Sequence, residues 1–241
     1  MIYVTSDLHG CSPDAFRALL EQAGFSDDDT LYVLGDVIDR GAHGVPLLVW
    51  LLNQPNVHML LGNHEAMLLN LTFLFYNVTG ETEPYLNRRQ TVLLDNWLYN
   101  GGRPTLQGLQ QLQREDPALL ESILDKIRNL PLYATVEAGG KQFILVHAGL
   151  GNFSEEKPLS DYTLQELLWV RPTPDTQYYQ DKKVIFGHTP TLFYGNEYVD
   201  RALSTPTWTC IDTGAAGGRM PMLLRLEDET PFYAPLPPRK A

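Results

Sequence analysis

Short apolar runs that stop at glycine-containing clusters recur along the sequence, and they constrain the fold more than any other feature. The runs are Ile2–Thr5, Leu31–Leu34, Val57–Leu61, Leu132–Val136, Phe143–Val146, Val184–Phe186, Trp208–Ile211 and Met222–Leu226. They are short and almost wholly apolar, which suits strands buried on both faces. Between the early runs the spacing turns helical. Ser12-Pro13-Asp14 supplies an N-cap, a proline at the first helical position and an acid in the first turn. Phe16, Leu19, Leu20 and Ala23 then fall on one face, and Gly24 can end the helix. Val45, Leu48, Val49 and Leu52 repeat the spacing. The first 62 residues therefore read β-α-β-α-β, an α/β pattern. Later runs are joined by short turns, with a hairpin loop at Glu137-Ala138-Gly139-Gly140-Lys141. The expected architecture is α/β, with two mixed β-sheets packed as a sandwich and flanked by helices.

Residues 65–130 are mainly helical in pattern, over Ala66–Val78, Arg89–Tyr99 and Pro117–Asn129. Ala66–Val78 is apolar nearly all round and should be buried in the domain or in an interface. The stretch reads as a helical excursion within a single domain over 1–241. The segment Pro235–Lys240 reads as an extended end. At 241 residues and 44% hydrophobic, the chain can bury a substantial core. Its net charge of −11 argues against partners such as nucleic acid or an anionic membrane face. Met1–Thr5 reads as a strand with no basic leader, and no run approaches the ~20 apolar residues of a membrane span. Cys11 and Cys210 fit no disulfide or metal-binding spacing, so the expected setting is a reducing, cytoplasmic one.

Five clusters carry the chemistry: Asp7-Leu8-His9-Gly10, Gly35-Asp36-Val37-Ile38-Asp39-Arg40-Gly41, Gly62-Asn63-His64-Glu65, His147-Ala148-Gly149 and Gly187-His188-Thr189. Four of them follow a strand directly, and strand C-termini in α/β sheets are where ligands bind. Four of the six histidines fall in these clusters; His43 and His58 match nothing and read as structural. Oxygen and imidazole donors from five loops could thus converge on one edge. Such a mixed set suits a pair of Mn, Fe or Zn ions better than Mg or Ca. Asp36 could bridge two ions. With Arg40 and Arg171 added, the site would attract a phosphate dianion. A lone Asp-x-His, or one histidine at a strand end, would mean little; the joint occurrence is what points to a site.

These clusters, together with Trp97-Leu98-Tyr99-Asn100-Gly101-Gly102 and Ile211-Asp212-Thr213-Gly214-Ala215, resemble the phosphoprotein phosphatase family of metallophosphoesterases. The likeness is greatest to its compact bacterial and phage branch, the bacteriophage lambda type, and it runs from residue 7 to residue 215. It implies the calcineurin-like metallophosphoesterase fold and two divalent ions, Mn first, with Fe or Zn as alternatives. Asp7, His9 and Asp36 would hold the first metal; Asp36, Asn63, His147 and His188 the second, with a water or hydroxide shared between them as the attacking group. Arg40 and Arg171 would bind phosphoryl oxygens. His64 would be the general acid, oriented by Asp39. Residue 6 is Ser where the family commonly has Gly. The implied activity is hydrolysis of phosphoserine and phosphothreonine, and also phosphotyrosine, in proteins, the partner being a phosphorylated protein or a small phosphoester. The alternative is a symmetrical diadenosine tetraphosphatase, a relative that tends to lack an acid at the Asp39 position. A phosphopeptide-binding scaffold without turnover is disfavoured, since no ligand or acid position is lost.

Overall fold

The structure is a computed structural model and describes residues 1–75 and 86–234. The chain begins β1 (Ile2–Thr5), α1 (Pro13–Gln22), β2 (Thr30–Val33), α2 (Gly44–Leu51), β3 (Val57–Met59) and α3 (Asn63–Leu69). Helices α4 (Arg88–Tyr99), α5 (Arg103–Glu115) and α6 (Pro117–Arg128) follow. Then come β4 (Tyr133–Ala138), β5 (Lys141–Val146), α7 (Leu164–Leu168), β6 (Lys182–Phe186), β7 (Leu203–Ser204), β8 (Trp208–Cys210), β9 (Met222–Arg225) and β10 (Thr230–Tyr233). The strands form two mixed five-stranded sheets, in the orders β10-β9-β1-β2-β3 and β4-β5-β6-β8-β7. β1, β2 and β3 are parallel in the first sheet, and β5, β6 and β8 are parallel in the second. No helix among the described residues is long and apolar enough to cross a membrane.

Alternation along the strands packs the two sheets against each other. Val4, Leu34, Phe143, Leu145, Ile185 and Leu224 point into one shared core between the sheets. Their neighbours Tyr3, Leu31 and Val33 point outward, beneath α1 and α2. Ile144, Val146, Val184 and Phe186 point outward on the second sheet, under loops carrying Tyr162, Tyr178 and Tyr179 and the short α7. The apolar runs are therefore buried on both faces, as their composition implies. The hairpin loop narrows to Gly139-Gly140, both at positive φ (55° and 73°), which is the two-residue turn that matches strand twist.

Two sequence expectations change. Ala66–Val78 is not one helix: α3 starts at Asn63 and ends at Leu69, Asn70 caps it, and a 3-10 turn covers Thr72–Leu74. Asn70 turns its amide back onto the Ala66 carbonyl at 3.0 Å, the competing hydrogen bond that short polar side chains offer. Leu68, Leu71 and Phe75 are buried, and residues 76–78 lie outside the described residues. The segment Pro235–Lys240 also lies outside them. An additional helix, α5, lies between α4 and α6; its Gly108 faces Val45 of α2 where a Cβ would be only 2.9 Å away.

Candidate metal centre

All the predicted site residues but Arg171, which lies in the loop between α7 and β6, leave the C-terminal ends of the parallel strands. β1 delivers Asp7 and His9, β2 delivers Asp36, Asp39 and Arg40, and β3 delivers Asn63 and His64 at the start of α3. From the second sheet, β5 delivers His147, β6 delivers His188 and β8 delivers Asp212. The centre therefore straddles the seam between the sheets. Six of the nine non-glycine residues with positive φ among the described residues are here: Asp7, His9, Asp36, Asp39, Arg40 and His188. A non-glycine residue in that region costs on the order of 1–3 kcal/mol, so the strain is concentrated where function would use it.

Backbone contacts hold these turns in place. His9 N–H donates to Asp36 O at 2.9 Å, Gly10 N–H to Val37 O at 2.8 Å and Gly41 N–H to His9 O at 3.0 Å. Gly10 and Gly41 touch so closely that a Cβ on either would lie 2.4 Å from a carbonyl oxygen of the other loop. Glu65 is buried behind Asp36 and accepts from the backbone N–H groups of Asp36, Val37 and Gly62 at 2.8, 2.9 and 3.2 Å. Across the seam, His188 N–H donates to Asp7 Oδ2 at 2.8 Å. The Ser6 hydroxyl donates to the same oxygen at 2.5 Å, so serine at this position supports the site. A Cβ on Gly187 would collide with Asp7 Oδ2, which fixes the close approach of the two sheets.

Asp36 occupies the middle. Its Oδ2 lies 3.6 Å from His9 Nε2, 3.6 Å from His147 Nε2 and 3.8 Å from His64 Nε2. Donor atoms of Asp36, His147 and His188 all lie within 4.8 Å of one another, and so do those of His9, Asp36 and His64. Asp7 Oδ1 is 3.9 Å from His9 Nε2. Asn63 Oδ1 lies 2.8 Å from His147 Nε2 and 2.9 Å from His188 Nδ1. The six predicted ligands are thus brought together. His64 stands beside them, its Nδ1 held by Asp39 Oδ2 at 2.7 Å and its Nε2 facing Arg40 Nη2 at 3.3 Å. A guanidinium at that distance disfavours a metal ion on His64 Nε2.

Protonation shows that the donor set fits cations. His147 Nδ1 lies 2.7 Å from Leu34 O and His9 Nδ1 lies 3.0 Å from Ile38 O, so each ring carries its proton there. Each Nε2 then presents a lone pair. At His147 that lone pair faces another acceptor, Asn63 Oδ1, with no proton between them. Burial holds His9 down to about 3 and His188 down to about 2, and lowers His147 as well, so these rings stay neutral. His188 Nε2 is buried without a partner. Burial also pushes Asp36 and Asp212 well above the carboxylate range, and Asp39 and Glu65 up to about 7. Buried carboxyl groups and neutral imidazoles, with the unpartnered His188 Nε2 among them, form a site that divalent ions would stabilise.

The centre opens into a cavity of about 380 Å³ lined by His9, His64, Arg40, Arg171 and His188, with Trp169 and Phe193 on its rim. Arg171 donates to His188 O and Thr189 Oγ1, both at 3.3 Å. Asp212, Trp97 and Thr105 carry no role in the sequence reading, yet Asp212 lines the cavity and the other two bond Asp39. Asp212 and Trp97 sit inside motifs that sequence already marks. His43 opens α2 and His58 lies on β3 beside Tyr32, away from the centre.

Comparison with known proteins agrees with this chemistry. A family model described as calcineurin-like phosphoesterase matches residues 1–214. A symmetrical bis(5'-nucleosyl)-tetraphosphatase of Acidovorax ebreus is 34% identical over 151 residues, covering 62% of this chain and 44% of that protein; the chain thus spans less than half of that relative. Serine/threonine-protein phosphatase 2 of Salmonella typhimurium is 27% identical over 215 residues, covering 89% of this chain and 87% of its own length. A crystal structure provisionally described as a diadenosine tetraphosphatase shares the fold, with a TM-score of 0.61 over 96% of this chain and 91% of that chain, at 18% identity.

Proposed function

This chain belongs to the calcineurin-like phosphoesterase family, and from that premise we propose that it is a dinuclear-metal phosphomonoesterase acting on phosphoserine and phosphothreonine in proteins. Asp7, His9 and Asp36 would hold one ion, and Asp36, Asn63, His147 and His188 the other, with Mn ahead of Fe or Zn for this mixed donor set. When bound, the ions would supply Lewis-acid stabilisation of the phosphoryl oxygens and a nucleophile derived from water. Arg40 and Arg171, at the cavity wall, would take the remaining phosphoryl oxygens with planar, charge-assisted contacts. Burial and the Arg40 guanidinium hold His64 down to about 3, so the ring would first take up a proton on Nε2 from solvent and then pass it to the leaving oxygen while Asp39 holds Nδ1. The unpaired thiols Cys11 and Cys210 are compatible with a reducing, cytoplasmic setting.

The buried Asp39–His64 pair is the observation that carries this reading. A serine or threonine alkoxide leaves poorly and needs a proton. A nucleoside diphosphate leaves well without one. The second reading, a symmetrical dinucleoside tetraphosphatase, is supported by relatives 34% and 33% identical and weighs more in the comparisons than the protein phosphatases do. A Mn-loaded sample assayed on a phosphoserine peptide, p-nitrophenyl phosphate and diadenosine tetraphosphate separates the two. The first reading expects peptide turnover to dominate, and His64→Ala to lose ~10²-fold more rate on the peptide than on p-nitrophenyl phosphate. Faster turnover of diadenosine tetraphosphate, with equal losses in His64→Ala, would put the second reading in its place.

A further inference from the structure

The Trp97–Gly102 motif is absorbed by no step above. In the structure it forms the end of α4 and the turn into α5, and that corner closes on the Asp39-Arg40 turn. Trp97 is fully buried, and its indole N–H donates to Asp39 Oδ2 at 2.8 Å. The same oxygen receives the His64 Nδ1–H at 2.7 Å. Asp39 N–H donates to Thr105 Oγ1 at 2.9 Å, and Arg40 N–H donates to Gly101 O at 2.8 Å. Asp39 and Arg40 both have left-handed backbones, at φ 70° and 67°. The corner has no slack: a Cβ on Gly101 would lie 2.7 Å from Arg40 Cγ, and one on Gly102 would lie 2.5 Å from the Trp97 ring.

A buried indole N–H needs an acceptor, and any carbonyl would serve. Here the acceptor is the carboxylate that orients the proposed acid. Both donors converge on Oδ2, while Oδ1 is buried without a partner. A carboxylate free to turn would spread two donors over two oxygens. Its one-sided arrangement means that the indole and the imidazole together fix its rotation. We propose that Trp97 and Thr105 are positioning residues for proton transfer: Trp97 holds the Asp39 carboxylate and Thr105 the Asp39 backbone N–H, so that Oδ2 fixes His64 by Nδ1 and turns Nε2 toward the leaving oxygen. This rests on the reading of His64 as the acid.

Trp97→Phe keeps most of the ring and removes the donor. With Mn bound, the ratio of kcat/KM on a phosphoserine peptide to that on p-nitrophenyl phosphate should fall ~10-fold, part of what acid catalysis supplies. In metal-free protein, ¹⁵N spectra of the histidine rings should show His64 as the Nδ1–H tautomer in the wild type and as a mixture in Trp97→Phe. Asp39→Asn is measured beside it. If Asp39→Asn shifts the substrate ratio and Trp97→Phe does not, Trp97 is packing alone and the proposal fails while the acid reading stands. If Asp39→Asn and His64→Ala both leave the ratio unchanged, the acid reading itself fails and takes the proposal with it. Should Trp97→Phe not fold, Thr105→Val and Thr105→Ser decide: valine should lower the ratio and serine restore it, and identical ratios overturn the proposal.

Discussion

Gly41→Ala tests whether the loops after β1 and β2 are truly interlocked, because the contact reverses the expected sign. Gly41 does not have a positive φ, so alanine suits its backbone. At such a position Gly→Ala ordinarily stabilises by about 0.4–1 kcal/mol through the unfolded chain. In this structure the new Cβ would lie 2.4 Å from Gly10 O and 2.4 Å from His9 O, whereas ordinary contact begins at 3.4 Å. Both obstacles are backbone and cannot swing aside, so the loops must part by 3.4 − 2.4 = 1.0 Å. Overpacking of this kind costs about 1–3 kcal/mol. The bonds Gly41 N–H to His9 O and His43 N–H to Gly10 O would weaken too, each worth about 0.5–1.5 kcal/mol. The expected outcome is a net loss of roughly 1–5 kcal/mol in urea denaturation of metal-free protein. His9 rides on the displaced loop, so calorimetric metal affinity should also fall by ~10-fold or more. Gly217→Ala, where a Cβ meets nothing within 4 Å, serves as the unobstructed control. A Gly41→Ala protein as stable as that control, with metal affinity intact, would refute the interlocked geometry.

Asp36→Asn should leave the folded protein short of both ions in elemental analysis, since Asp36 Oδ2 lies within 3.8 Å of three imidazoles; two ions per chain in the variant would exclude a shared ligand. Arg171→Ala should weaken inhibition by inorganic phosphate while metal content stays at the wild-type level; unchanged inhibition would remove Arg171 from phosphate recognition. Glu166 offers a test of pH dependence. Its carboxyl is held down to about 2 by the Thr163 backbone, Lys157 and Asn152. A depressed acid contributes stability above its unfolded value near 4.5, lost as pH falls toward 2. Glu166→Gln should flatten the stability–pH curve in that window, and equal slopes for the two proteins would contradict the hydrogen bonding.

The centre was readable in the sequence because each of its parts leaves a short strand through a glycine-containing turn. The short apolar run locates Ile2–Thr5 as a strand, and the turn chemistry after it marks Asp7 and His9. Asp212 and Trp97 were marked by motif but not by role, because their parts depend on contacts made far along the chain. Trp97 meets Asp39 across 58 residues, a pairing no local pattern encodes. The missed α5 carries Gly108 in mid-helix, which lowers helix propensity, and only the neighbouring Val45 explains it. The short edge strand β10 includes Pro231, and proline argues against a strand unless the edge is free. Val57–Leu61 shortens to Val57–Met59 because Leu61 N–H bonds Pro131 O instead of continuing a ladder.

Biosynthesis imposes an order on the seam between the sheets. β1, β2 and β3 and their loops emerge from the ribosome first, with Asp7, His9, Asp36 and Asn63 already in hand. The imidazoles that complete the set come much later: His147 follows Asn63 by 84 residues and His188 by 125. A nascent first half therefore holds the proposed set for one ion, Asp7, His9 and Asp36, but lacks both imidazoles of the other. Capture of the second ion must wait until both sheets have met, which makes it a late event of maturation. An ion seated there would act as a rivet between halves made at different times, and its removal should loosen that joint before either sheet.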